Sequence, residues 1–85
     1  MQIKPSLKFI HDYKNLPPLL RNRMDGQLKI LLENPHHPSL GLKKIKGFPD
    51  IWEARVTKNY RFTFQVQGDI YFLRKIGTHD ILKRP

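Results

Sequence analysis

Eighty-five residues make one domain, because single domains need about 50 residues and divide only at several times this length; a two-domain cofactor enzyme is excluded. Sixteen Lys+Arg against seven Asp+Glu leave a formal charge of +9, which suits a polyanion: a phosphodiester backbone, an anionic membrane surface or an acidic protein. Hydrophobic and aromatic shares of 39% and 11% are enough for a small core, and the absence of cysteine excludes a disulfide framework, a thiolate nucleophile and Cys-ligated zinc.

The start, Met1-Gln-Ile-Lys-Pro-Ser6, lacks the apolar run of a signal peptide, and no stretch approaches the roughly 18 apolar residues of a membrane span, so a cytoplasmic protein is expected. Residues 1–85 read as a single unit without repeats or linkers. Gln2 to Lys4 is a short extended candidate. Ser6 can cap a helix whose Phe9, Ile10 and Tyr13 share one stripe, and Leu16-Pro17-Pro18 stops it. Pro18 suits the first turn of a second helix, where its missing N–H removes no intrahelical bond. Leu20, Met24, Leu28 and Leu31 then form its apolar stripe, Gly26 weakens it by about 1 kcal/mol, and Asn34-Pro35 ends it.

From Leu40 the pattern changes to short strands at Leu42–Lys46, Ile51–Val56, Tyr60–Val66 and Ile70–Ile76, punctuated by Gly47, Lys58-Asn59 and Gly68-Asp69. A three-residue loop at Thr57-Lys58-Asn59 sets Val56 against Tyr60, Ala54 against Phe62 and Trp52 against Phe64, with every large apolar group on one side. A two-residue loop would mix the faces. The expected fold is α+β: two N-terminal helices packed on one face of a small, mainly antiparallel twisted sheet whose other face is free. That free face carries Glu53, Arg55, Arg61 and Thr63. The last hairpin admits several loop lengths, so whether Arg74 or Lys75 joins them stays open.

Two arginines opposite each other repel unless an anion lies between them, so Arg55 and Arg61 suggest a phosphate site. The alternative is a surface cluster that Glu53 neutralises; Lys43, Lys44 and Lys46 on the preceding strand argue against it, since one glutamate cannot balance so many cations. In Arg74-Lys75-Ile76-Gly77-Thr78-His79-Asp80 a strand runs through glycine into a histidine, the natural group for moving a proton at neutral pH, with an exposed turn histidine as the alternative reading. His36 and His37, flanked by prolines, read as loop residues and His11 as helical. No HExxH or carboxylate cluster suggests a metal, so phosphoryl chemistry here is expected without metal or cofactor. Cations on a sheet face, without interleaved apolar groups, also make a poor membrane anchor.

The run Ile51-Trp-Glu-Ala-Arg-Val-Thr-Lys-Asn-Tyr-Arg-Phe-Thr-Phe64, followed by Leu73-Arg-Lys-Ile-Gly-Thr-His-Asp80, resembles the RelE/ParE superfamily of toxin–antitoxin toxins, and Gly77-Thr78-His79 is similar to the ending of its YafQ-like branch. Asn34-Pro35-His36-His37-Pro38-Ser39-Leu40 with Lys43-Lys44-Ile45-Lys46-Gly47 resembles the family's helix-to-sheet connection, and the likeness covers essentially the whole chain. The resemblance implies a type II toxin that cuts mRNA in the ribosomal decoding site and is silenced by a cognate acidic antitoxin. It implies that Arg61 contacts the scissile phosphate, that Arg55 is a basic position on the neighbouring strand, and that His79 is catalytic. Glu53 would then serve as base, and Lys43, Lys44, Lys46, Arg74 and Lys75 would hold RNA. The base-stacking aromatic or histidine that some relatives carry beyond the catalytic position has no counterpart in Ile81-Leu82-Lys83-Arg84-Pro85. Two other readings stand beside it: a ParE-like inhibitor of DNA gyrase without catalysis, and a basic nucleic-acid-binding module without cleavage.

Overall fold

A computed structural model describes all residues, Met1–Pro85. The chain opens with strand β1 (Gln2–Pro5), after which Ser6 starts helix α1 (Leu7–Lys14). The Ser6 Oγ accepts from the Phe9 N–H at 3.0 Å, as expected of an N-cap, and the same hydroxyl donates to the Arg74 carbonyl at 2.9 Å. One side chain therefore both starts the helix and ties it to the distant end of the chain. Phe9 is buried and Tyr13 packs against the core, whereas Ile10 lies at the margin.

Helix α2 (Pro18–Glu33) has its proline in the first turn, and Asn34 follows its last residue. Met24 and Leu31 are fully buried, with Leu20 and Leu28 partly so, as the stripe requires. Gly26 faces open space and the helix runs through it. Tyr13 Oη donates to Asp25 Oδ1 at 2.8 Å, joining the two helices; this hydrogen bond, with burial and the carboxylate's charge, raises the phenol's pKa.

Strands β2 (Lys43–Lys44), β3 (Ile51–Arg55), β4 (Arg61–Gln67) and β5 (Ile70–Gly77) complete a five-stranded sheet in the order β1-β5-β4-β3-β2. Only the β1/β5 pair is parallel. The β3/β4 register is the expected one, with Trp52 opposite Phe64, Ala54 opposite Phe62 and Arg55 opposite Arg61. The core lies between this apolar face and the helices, built on Phe62, Phe64, Ala54, Val56, Leu73 and Ile76. The strand expected over Leu42–Lys46 shortens to two residues; Ile45 is buried beyond it, and its N–H still bonds the Ile51 carbonyl at 2.9 Å.

In the last hairpin Gln67 stands opposite Ile70, leaving a two-residue turn in which Gly68 takes φ 58°. A bulge then interrupts β4/β5: Thr63 pairs with Lys75 but Phe64 pairs with Leu73, so Arg74 is the extra residue. This resolves the open choice, because Arg74 and Lys75 both point to the face opposite the helices. That face is not free. Glu53 is 5% exposed and Thr63 is 0% exposed. The C-terminal segment crosses them: Thr63 Oγ1 and Arg74 Nε donate to the Pro85 oxygen at 3.1 and 3.0 Å, and Lys75 Nζ donates to the Arg84 carbonyl at 2.6 Å.

Two polar side chains on the helices hold the layers in place. Asp12 accepts the Ile76 N–H at 3.0 Å, and buried Gln27 donates to the Arg55 carbonyl at 2.8 Å and the Ser39 carbonyl at 3.2 Å. Replacing Gln27 by leucine keeps the volume but strips a donor from two carbonyls. Gln27→Leu should lower unfolding stability by about 1–3 kcal/mol, read as a lower urea midpoint at unchanged slope.

Candidate functional site

Because side chains alternate along a strand, the pairing that buries Ala54 and Phe62 sends Arg55 and Arg61 to the opposite face. Arg61 also pairs with Gly77 on β5. On the other side, Gly41 precedes Lys43 by two residues and lies against Arg55: a Cβ on Gly41 would stand 3.1 Å from Arg55 Nη2 and 3.3 Å from Cζ. The row across the sheet is therefore Gly41, Arg55, Arg61, Gly77, two guanidinium groups flanked by two glycines. The next row is Lys43, Glu53, Thr63 and Lys75.

The two arginines are held differently. Arg61 Nη1 donates to the carbonyls of Thr57, Lys58 and Tyr60 at 2.9, 3.0 and 3.2 Å, so the β3–β4 loop grips the guanidinium and leaves the side chain only 13% exposed. Its Nη2 makes no protein hydrogen bond. Arg55 is exposed and lies over the bare backbone of Gly41, where only glycine permits both the approach and φ 52°. The two like charges turn away from each other, toward the loop and toward Gly41.

Glu53 does not neutralise this face. Its Oε1 lies 3.9 Å from Arg61 Nε, and no other cation is within ion-pair distance of it. A single, nearly buried carboxylate thus stands beneath Arg55, Arg61, Lys43 and Lys75. His79 opens a 3₁₀ turn (His79–Lys83) two residues past Gly77, with an exposed imidazole that forms no hydrogen bond to Arg55, Arg61 or Glu53. Gly77 makes that turn possible: a Cβ there would lie 2.6 Å from the Ile81 Cγ2 methyl, so Ile81 rests where a side chain would otherwise stand.

The other cations separate. Lys43 shares the face of Glu53, whereas Lys44 points to the opposite face with its ammonium 5.3 Å from the centroid of Trp52. Lys46 is exposed in the turn beyond β2. Arg74 bonds Gln65 Oε1 at 3.0 Å as well as the Pro85 oxygen, and Lys75 reaches Arg84. Sequence reasoning missed Gly41, and it placed Thr63 on this face without its burial or its partner. Gly41 carried a legible signal, a glycine two residues ahead of a strand, but buried Thr63 meets a backbone oxygen that no motif announces. No group of three or more His, Cys, Asp or Glu side chains gathers to hold a metal, and no helix is long and apolar enough to cross a membrane.

No protein-family model and no curated protein sequence matches the chain. Solved structures do. A YoeB/ParE toxin from Agrobacterium tumefaciens superposes with a TM-score of 0.79 at 18% identity, over 93% of this chain and 99% of that one. YafQ from E. coli superposes at 0.75 with 17% identity over 94% of both chains. A RelB–RelE antitoxin–toxin complex from Methanococcus jannaschii matches at 0.75 with 23% identity over 93% of both. The chain has the RelE/ParE fold, α+β, with its helices on one face of a mainly antiparallel sheet.

The Gly77–Ile81 contact is directly testable. Gly77→Ala should lift the C-terminal turn and speed amide hydrogen exchange at Ile81 and Arg84, whose N–H groups bond Thr78 and Ile81. Adding Ile81→Ala should restore space for the new methyl and slow that exchange again. Equal exchange in wild type and Gly77→Ala would mean that the contact does not hold the turn.

Proposed function

We propose that this protein is the toxin of a type II toxin–antitoxin pair, a metal-independent endoribonuclease that cuts mRNA on the ribosome and so arrests translation. The row of Arg55 and Arg61, backed by one nearly buried carboxylate, is the observation that carries this reading. It is supported by structural neighbours of the same fold that are described as a YoeB/ParE toxin, as YafQ, and as RelE and YafQ in complexes with RelB and DinJ.

In strand scission of this kind the RNA 2′-oxygen attacks the adjacent phosphorus, the P–O5′ bond breaks, and a 2′,3′-cyclic phosphate and a 5′-hydroxyl result. The enzyme must hold an in-line geometry, stabilise added negative charge on the phosphoryl oxygens and move two protons. Arg61, immobilised by three loop carbonyls, offers its free Nη2 edge with little further ordering cost. Arg55, beside it in the row and lying over Gly41, supplies the second cation for the phosphate backbone. Glu53 takes the 2′-OH proton, and His79 delivers one to the departing 5′-oxygen. Lys43, Lys46, Arg74 and Lys75 hold the flanking backbone, while Lys44 contributes from the other face.

The partner that silences this activity is an acidic antitoxin laid over the cationic sheet face, matching the +9 charge. The site of action is the cytoplasm, where ribosomes are.

Arg61→Ala and His79→Ala should each lower cleavage of ribosome-bound mRNA by about 100-fold or more with an unchanged circular dichroism spectrum; full cleavage by both variants would refute the assignment. Gyrase supercoiling assayed on the same preparation should be unaffected, and inhibition without RNA cleavage would instead support a ParE-like action. Arg55→Ala should weaken RNA binding and reduce the slope of log K against log salt by about one unit or less, the signature of a lost phosphate contact.

A further inference from the structure

At the β2 edge of the sheet the connection between α2 and β2 leaves a cleft of about 260 Å³, walled by Trp52, His36, His37 and the rings of Pro35 and Pro38, with Gly41 at its lip. No Lys, Arg, Asp or Glu lines it. Its walls are therefore free of formal charge and built largely from rings, and its volume falls just below the roughly 300 Å³ at which drug-sized pockets begin, room for one planar ring system.

The polar edges in the cleft are few and placed. His37 Nδ1 accepts the Ser39 N–H at 3.1 Å and lies 2.9 Å from Ser39 Oγ, so this nitrogen is committed to the turn and Nε2 is the free edge of the ring. The His36 imidazole has no hydrogen-bond partner at all. Trp52 carries Lys44 over its ring, which keeps a cation beside the aromatic wall. Gly41 connects the cleft to the cationic row: it lines the cleft on one side and lies under the Arg55 guanidinium on the other. A slot at the sheet edge that shares Gly41 with an exposed guanidinium matches a planar ring joined through a short linker to a phosphate, which is a nucleotide unit.

We propose that this cleft is a nucleobase-binding subsite, taking a base of the RNA strand next to the phosphate held by Arg55. It rests on the RNA-binding reading above and adds to it a point where base identity is felt, through stacking on Trp52 and hydrogen bonds to His36 and His37 Nε2. Base identity is read by the two histidine edges, while stacking on the ring supplies roughly five-fold or more in affinity per base.

Trp52 is the only tryptophan in the chain, so its emission reports on the cleft. The intact protein is titrated with a fluorescein-labelled, 2′-O-methylated hexanucleotide, which blocks scission, and separately with inorganic polyphosphate of equal charge. Binding is read by anisotropy or by displacement of the labelled strand, and occupancy of the cleft by tryptophan emission with the unlabelled strand. The oligonucleotide should quench Trp52 to saturation and polyphosphate should not. His36→Ala, an exposed change that spares the fold, should weaken oligonucleotide binding about five-fold and leave polyphosphate binding alone. Oligonucleotide binding without Trp52 quenching, or an equal effect of His36→Ala on both ligands, would overturn the subsite and leave the RNA reading standing. No oligonucleotide binding by anisotropy would overturn both. Tighter quenching by an acidic phenylalanine-containing peptide would assign the cleft to a protein partner instead, and so overturn it as well.

Discussion

The pairing of β3 with β4 is the constraint on which the rest of the molecule depends. Side chains alternate with a period of two, so once Ala54 and Phe62 face the helices, Arg55 and Arg61 have no choice but to meet on the other side. Burying apolar area drives the first pairing, and the second comes as its consequence. Two like charges placed directly opposite on a sheet destabilise it by about 0.2–1 kcal/mol, small beside the 1.5–3 kcal/mol from burying a single phenylalanine. The core thus overrides the repulsion, and a pair of cations is held in fixed register on a rigid sheet. The protein lessens the conflict locally by turning Arg61 onto loop carbonyls and Arg55 over Gly41.

Glycines and one bulge then shape what the register supplies. Gly41 and Gly77 flank the arginine row, and each yields its side-chain volume to another group, the Arg55 guanidinium at one end and the Ile81 methyl at the other. The bulge between Thr63 and Phe64 adds a cation to the same face, since Arg74 and Lys75 no longer alternate. The Glu53 carboxylate is kept nearly buried beside this charge, with one arginine at long range. A buried carboxylate so sparsely paired adds little stability.

Much of this was legible in the sequence where apolar groups decide the geometry. Only one loop length puts Trp52, Ala54, Val56, Phe62 and Phe64 on a common side, so that hairpin could be registered from residue types alone. Ser6 and Pro18 marked their helix starts for equally local reasons. Legibility failed where pairing parity changes within a strand: nothing in Phe72-Leu73-Arg74-Lys75 distinguishes a bulge from regular alternation, so the side taken by Arg74 stayed open. It failed again where main-chain atoms are the partners. Gln27 meets the carbonyls of Ser39 and Arg55, and Thr63 and Arg74 meet an oxygen of Pro85. Backbone carbonyls are the same at every position, so these contacts leave no mark on residue identity. The sheet face expected to be free is partly covered for that reason: Glu53 and Thr63 are buried while Arg55 and Lys43 stay exposed.

The parallel pairing of β1 with β5 places Gln2 beside Ile70 and Pro5 beside Leu73, joining segments almost a whole chain length apart. Ser6 completes the junction by bonding the Arg74 carbonyl while capping α1. Contacts this distant in sequence pay a larger loop-closure entropy than the local β3/β4 and β4/β5 hairpins. On a nascent chain, β1 has no strand to pair with until β5 has been made. The arginine hairpin needs only its own short segment, but the N-terminal strand and the helix it leads into are locked in place only once β5 is available.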